Sequence, residues 1–195
     1  SDNTVLTTGS AAGITFGSTV DSMGSTPYSL TLNSGSVGSM FSDNVGTNHL
    51  LNRIIVSGPL TINAPNVLSL NNQRYLGSVI VRVDALIKSS NAEIELLAGQ
   101  GGVTASSNLI IDAVNAFTTI SGEFGSVIPL TSLTVRGTAN LAASQLITSN
   151  YQHYLGAVTL VGNTSLSNLI NSSSNGILFG SFVNGPYSLA IHDVG

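Results

Sequence analysis

The sequence predicts an all-β fold, a parallel β-helix in which the chain winds about an axis and each coil adds one rung to stacked parallel sheets. Three observations predict it. Blocks of sequence recur at an offset of 79 residues, as with Gln73 and Gln152. Apolar residues alternate in bursts of three. Charged residues make up only 7% of the 195 residues, where globular domains carry about 25%.

The recurrence is nearly gapless. Gln73-Arg-Tyr-Leu-Gly-Ser-Val-Ile-Val81 returns as Gln152-His-Tyr-Leu-Gly-Ala-Val-Thr-Leu160. Upstream, Leu51, Ile54, Val56 and Gly58 correspond to Leu130, Leu133, Val135 and Gly137, and Leu30 and Leu32 to Leu109 and Ile111. A third copy begins, since Gly13-Ile-Thr-Phe-Gly-Ser18 matches Gly176-Ile-Leu-Phe-Gly-Ser181 and Pro27-Tyr-Ser-Leu30 matches Pro186-Tyr-Ser-Leu189. The copy boundaries fall near 9–91 and 92–171, with a partial third copy at 172–195. Long-period repetition means a fold built along one axis. The chain therefore reads as one β-helix segment, either an excerpt of a longer array or a subunit that stacks on copies of itself.

In chain order the bursts are Ile14-Thr-Phe16, Leu30-Thr-Leu32, Leu60-Thr-Ile62, Leu68-Ser-Leu70, Leu133-Thr-Val135, Val158-Thr-Leu160 and Leu189-Ala-Ile191. Each sets two apolar side chains on one face and a small polar one on the other, the period of a half-buried strand. Gly, Asn, Ser and Pro punctuate them, as in Asn33-Ser-Gly35 and Gly99-Gln-Gly-Gly102. Residues 140–148 have some helical character, but they run into the second Gln-x-Tyr block, whose first copy is strand-like. Isolated strands this short are unusual, since the common length is about 5–6 residues. They suffice when each rests on a similar strand above and below. A coil of about 20 residues puts four coils in each 79-residue repeat, about ten in the chain, and a rod of roughly 45–50 Å at the usual strand spacing. Stacked turns favour Asn ladders. They disfavour like charges, which would sit under about 5 Å apart.

Composition removes several functions. The net charge is −4 and no basic run exists, so the counterion-releasing surface that nucleic acid requires is missing. No apolar run reaches the roughly 18–20 residues of a membrane helix. Without cysteine, neither a disulfide framework nor a thiolate metal site can form. No cofactor motif is present. Gly99–Gly102 lacks the following helix and Lys-Ser/Thr of a phosphate loop, so it reads as a turn. His49, His153 and His192 are far apart in sequence, without carboxylates at metal-ligand spacing. No Gly-x-Ser-x-Gly elbow occurs.

Two sets of residues remain as candidates. Glu93 and Glu95 flank Ile94. They lie about 7 Å apart on one face of a strand, where a carboxylate pair can serve glycoside hydrolysis. The competing reading places both on a solvated outer face with Ile94 and Leu96 inside. The second set is the repeated motif itself: Gln73, Tyr75, Gly77 and Val79, with Gln152, Tyr154, Gly156 and Val158. Its tyrosines either offer aromatic faces to sugars or pack over a turn with the hydroxyl at the surface.

At this Gln-x-Tyr-x-Gly-x-Val motif, and at Gly13–Leu32, Leu51–Gly58 and Leu130–Gly137, the chain resembles the repeat region of large secreted bacterial exoproteins, the filamentous-haemagglutinin-like adhesins. The resemblance implies a non-enzymatic, right-handed parallel β-helix shaft on the outer surface of a Gram-negative bacterium. There it would contact a host-cell receptor or glycan, or hold a distal tip away from the cell. It locates no binding site. Two other functions stand beside it: an extracellular filament subunit stacking end to end, and, lower, a polysaccharide-degrading β-helix enzyme.

Overall fold

A computed structural model describes residues 3–97, 102–169 and 176–193. Most of the glycine-rich turn at 98–102 therefore lies outside the described residues. Those described contain strand and no helix, and every strand pair is parallel. Residues 140–148 belong to the strand Leu130–Tyr154. Among the described residues no helix is long and apolar enough to cross a membrane.

The chain winds through three faces in turn. On the first, Thr4 pairs with Leu30, then in succession Ile54, Gln73, Ile94, Thr118, Ala139, Val158 and Val183. The second runs from Ile14 through Ser39, Leu60, Val79 and Val103 to Phe124, then Leu146, Leu166 and Ile191. The third begins at Val20 and continues through Val45, Val67, Ile87, Ile111 and Val135. There the Leu155 N–H donates to the Val135 carbonyl, and Tyr154 pairs with Phe179. The described residues thus form a β-solenoid with nine rungs on each of the first two faces, a stack roughly 38 Å high at 4.8 Å per rung.

Three-residue strands alternate as expected. Ile54 and Val56, Leu60 and Ile62, and Ile94 and Leu96 are all buried, while the residue between each pair faces out. These inward residues form one continuous core. Each small strand is held by the strands above and below it, so stability is roughly a sum of nearest-neighbour contacts.

The coils are longer and less regular than twenty residues, which is why there are fewer than ten. On the first face the step runs from 19 residues, Ile54 to Gln73, to 26, Thr4 to Leu30. This changes what the 79-residue repeat means. Leu30 lies on the first face, its second copy Leu109 on the third, and its third copy Leu189 on the second. Ser39 on the second face becomes Thr118 on the first, and Val45 on the third becomes Phe124 on the second. One repeat is three and two-thirds turns rather than four. Coil lengths travel with the sequence: Leu30 to Ile54 to Gln73 steps 24 and then 19 residues, as does Leu109 to Leu133 to Gln152. The faces are interchangeable because each offers the same apolar stripe to one core, whereas a corner must keep its own residues.

The duplication left one mismatch. Ser39 Oγ is buried and donates to Ser34 Oγ at 3.0 Å. Their second copies are Thr118 and Ala113, both fully buried, and Thr118 Oγ1 has no partner among the described residues. A buried hydroxyl left unpaired costs about 1–3 kcal/mol. Thr118→Val is therefore expected to raise the unfolding free energy by about 1 kcal/mol, read from denaturant unfolding, and Ala113→Ser to raise it by restoring the missing partner. Unchanged or lower stability in both variants would contradict this.

Candidate functional site

The repeated motif is a corner lock facing inward. Gln73 is fully buried between Ile54 and Ile94 on the first face. Its Nε2 donates to the Lys88 carbonyl at 2.7 Å, to Ser69 Oγ at 2.9 Å and to the Val67 carbonyl at 3.2 Å. Val67 and Ser69 lie on the coil before it and Lys88 on its own coil, all on the neighbouring face. One side chain thus ties two faces and two coils together. The Tyr75 hydroxyl donates to Gln73 Oε1 at 2.5 Å, which uses the remaining end of the amide.

The second copy repeats this at another corner. Gln152 Nε2 donates to the Ser167 carbonyl at 2.8 Å, the Leu146 carbonyl at 3.2 Å and Thr148 Oγ1 at 3.4 Å. Tyr154 donates to Gln152 Oε1 at 3.2 Å. Polar groups in such a place are tolerated only when all are paired.

Both tyrosine readings from sequence are corrected. Tyr75 and Tyr154 neither offer a face to sugars nor hold the hydroxyl at the surface, being 1% and 0% exposed. Burial holds both phenols protonated far above their ordinary range. Val79 and Val158 complete the inward set. The glycines have a different duty. A Cβ on Gly77 would lie 2.4 Å from the Gly58 carbonyl oxygen, and one on Gly156 2.2 Å from that of Gly137. Backbone of successive coils meets there with no room for a side chain.

Outside, the stacked positions carry ladders. Glu95 faces outward between Arg74 and Thr119 and is ion-paired with Arg74. Glu93 is half-buried, and its carbonyl accepts from the Gln73 N–H at 3.1 Å. With Ile94 and Leu96 both inside at 0% exposure, the outer-face reading of Glu95 describes its position. Lys88, Asp112 and Arg136 form a second charged row, with Asp112 Oδ2 3.7 Å from Lys88 Nζ and 3.8 Å from an Arg136 Nη. Signs alternate up each row, as the short rung spacing demands. His153 stands where Arg74 does in the first copy and stacks on Tyr151, with ring centroids 4.3 Å apart. Among the described residues no group of three or more His, Asp or Glu gathers to hold a metal.

Uncharged corners stack as well. Asn71 Nδ2 donates to Asn52 Oδ1 at 2.6 Å, and Asn52 Nδ2 to Ser29 Oγ at 3.2 Å. Asn66 donates to Asn44 at 3.0 Å. Ser132 Oγ donates to Asn108 Oδ1 at 2.5 Å, while the Asn108 backbone and side-chain N–H groups donate to the Asp84 carboxylate at 2.9 and 3.0 Å. Sequence reading anticipated Asn ladders but missed the Lys88-Asp112-Arg136 and Asp84-Asn108-Ser132 rows. Each consists of two 24-residue steps, a spacing visible only once the coil length there is known.

The Asp84 ladder has a pH signature. The Asn108 backbone N–H, then its side chain, stabilise the carboxylate and lower its pKa from 3.8, against a small opposing desolvation. At Asp21 desolvation pushes the other way but is outweighed by hydrogen bonds from Asn48 and His49, so its pKa is also lowered. A carboxyl whose folded pKa lies below its unfolded one stabilises the fold above the unfolded value, and loses that contribution as pH falls through the folded one. Stability is expected to hold from neutral pH down to about 4 and to decline below it. Thermal melts of Asp84→Asn should show a shallower decline than the parent; an identical acid profile would exclude this ladder as a source.

No known family model, curated protein or solved structure matches this chain.

Proposed function

We propose that this chain is a non-enzymatic shaft segment of a large bacterial surface adhesin, a rigid spacer whose outer ladders meet a host-cell receptor or glycan. The resemblance of its repeats to those of secreted exoproteins of Gram-negative bacteria supports the extracellular setting. The observation that carries the reading is where the repeated motif places its chemistry. Gln73, Tyr75, Gly77 and Val79, and their second copies, are all engaged in joining one coil to the next. A motif repeated for stacking is what a spacer needs. The enzymatic alternative rests on Glu93 and Glu95, and Glu95 is already held by Arg74.

Electron microscopy with light scattering tests this reading. Monomeric rods of about 38 Å are expected, with binding to immobilised glycans or host-cell surface and no polysaccharide turnover. Regular fibres would move the function to end-to-end assembly. Turnover that disappears in the joint Glu93→Gln, Glu95→Gln variant would establish an enzyme instead.

A further inference from the structure

The two repeat copies build the same corner loop and close it differently. The Gly46 N–H donates to the Val20 carbonyl at 2.7 Å, and the Gly125 N–H to the Val103 carbonyl at 2.6 Å. Both glycines are left-handed, with φ of 72° and 71°. A Cβ on either would lie 2.2 Å from a carbonyl oxygen of the next coil, that of Leu68 or Ile147. Residues 47–50 and 126–129 then lead to Leu51 and Leu130, both buried. Asn48 and His49 therefore correspond to Val127 and Ile128. Asp21, which follows Val20, corresponds to Thr104, which follows Val103.

In the first copy a carboxylate closes the loop. Asp21 Oδ1 accepts from the Asn48 N–H at 3.0 Å and the His49 N–H at 3.3 Å, and Asp21 Oδ2 accepts from Asn48 Nδ2 at 2.8 Å. In the second copy the shorter, uncharged Thr104 makes no such bonds, and the Val127 and Ile128 N–H groups have no acceptor among the described residues. Beside them runs a groove of about 300 Å³, which Ile80, Arg82, Thr104, Ser106 and Ile128 line. That volume is at the small end of the range for ligand sites. The groove lies within the stack, where Thr104 rests on Ile80 and Ile80 on Thr61. Arg82 is exposed, and no carboxylate pairs with it among the described residues, whereas Arg74, Lys88 and Arg136 each face one. Asp84, the acid nearest to it in sequence, is taken up by Asn108. The second copies of Ile80 and Arg82 are Thr159 and Val161, so coil stacking does not require this cation.

We propose that this groove binds the carboxylate of a sugar acid, a hexuronate residue of a glycan, in the place that the Asp21 side chain fills in the first copy. The carboxylate accepts from the Val127 and Ile128 N–H groups and pairs with the Arg82 guanidinium, all charge-assisted bonds. The Thr104 and Ser106 hydroxyls meet ring hydroxyls, and Ile80 and Ile128 form apolar walls for the C–H face of the ring. The choice of a sugar rests on the shaft reading and deepens it. The choice of a carboxylate rests on the geometry of the first copy alone.

Titration of the isotope-labelled chain with galacturonate, followed by its amide resonances, tests the site. Galacturonate should shift the Val127 and Ile128 amides saturably, and galactose at the same concentration should not. Arg82→Gln should weaken the response about tenfold. Thr104→Asp copies the first loop, so it should move both amides by itself and abolish their response to galacturonate. The Asn48 and His49 amides should stay in place in that variant, which shows that the fold persists. Val127 and Ile128 amides that do not respond, a response that survives Thr104→Asp, or acetate bound as tightly as galacturonate overturns the proposal. The shaft reading is judged separately. Rods that bind a host-cell surface keep it whatever the titration shows, and turnover lost with Glu93 and Glu95 removes it while the groove stands.

Discussion

Gln73→Leu should destabilise the solenoid by about 3–5 kcal/mol, the range for leaving several buried polar groups without partners. Leucine fills much of the same volume, so cavity formation is a minor part. What is lost is the amide that the Lys88 and Val67 carbonyls, Ser69 Oγ and the Tyr75 hydroxyl all use. Ser69 Oγ keeps its bond to the Asn71 carbonyl at 2.5 Å, but the Val67 carbonyl and the Tyr75 hydroxyl stay buried in the core and cannot turn to water. Tyr75→Phe leaves only Gln73 Oε1 unpaired and should cost about 1–2 kcal/mol. The Gln73→Leu, Tyr75→Phe double variant should then be less unstable than the two losses added, because both act on one hydrogen bond. Gln152→Leu should follow the same direction with a smaller loss, since its bonds to Thr148 and Tyr154 are longer, 3.4 and 3.2 Å. Denaturant unfolding of the set measures all of this; a Gln73→Leu chain as stable as the parent would remove the lock from the explanation of the motif.

Gly77→Ala is the second large effect, and its cause is steric. The added methyl would meet the Gly58 carbonyl oxygen at 2.4 Å and the carbonyl carbon at 2.5 Å. No flexible side chain is there to yield, so two coils must separate at that corner. Overpacking of this kind costs about 3 kcal/mol or more when backbone has to move. Gly156→Ala faces the same obstacle in the Gly137 carbonyl. Gly17→Ala is the control, for nothing lies within 4 Å of its position and its backbone is not left-handed. It should be within about 0.5 kcal/mol of the parent. Equal melting temperatures for Gly77→Ala and Gly17→Ala would contradict the close coil contact.

The fold class was legible because two independent patterns agree. Period-2 bursts such as Leu60-Thr-Ile62 state which side chains face in, and the 79-residue recurrence states that the chain repeats along an axis. Coil length was not legible, because it is set in the corners. Residues such as 19–29 lengthen one coil to 26 residues without disturbing any strand. With the length uncertain, the repeat could not be assigned a number of turns, and the rows at 24-residue spacing stayed hidden.

The tyrosines misled for a chemical reason. A phenol hydroxyl ordinarily marks a surface or a turn, and here its partner is a glutamine two residues earlier on the same inward side. The alternation that buries Gln73 also buries Tyr75. Reading the pair as a unit would have placed both inside. The Glu95 position, by contrast, followed from the Ile94 and Leu96 register alone, although its ion pair with Arg74 required knowing that residues 21 apart are neighbours.

The most direct measurement is of distances between paired spin labels, made easy by a chain without cysteine. Arg74 and Thr159 both face outward on the first face, connected by Glu95, Thr119 and Asn140. Labels on Arg74→Cys and Thr159→Cys should lie about 19 Å apart at the backbone, four rungs of 4.8 Å. Arg74 and His153 are the repeat equivalents, and they leave different faces. Their labels should be clearly farther apart. A short distance for Arg74 and His153, with Thr159 the more remote, would mean that the repeat closes on a whole number of turns and would contradict the three-and-two-thirds-turn solenoid.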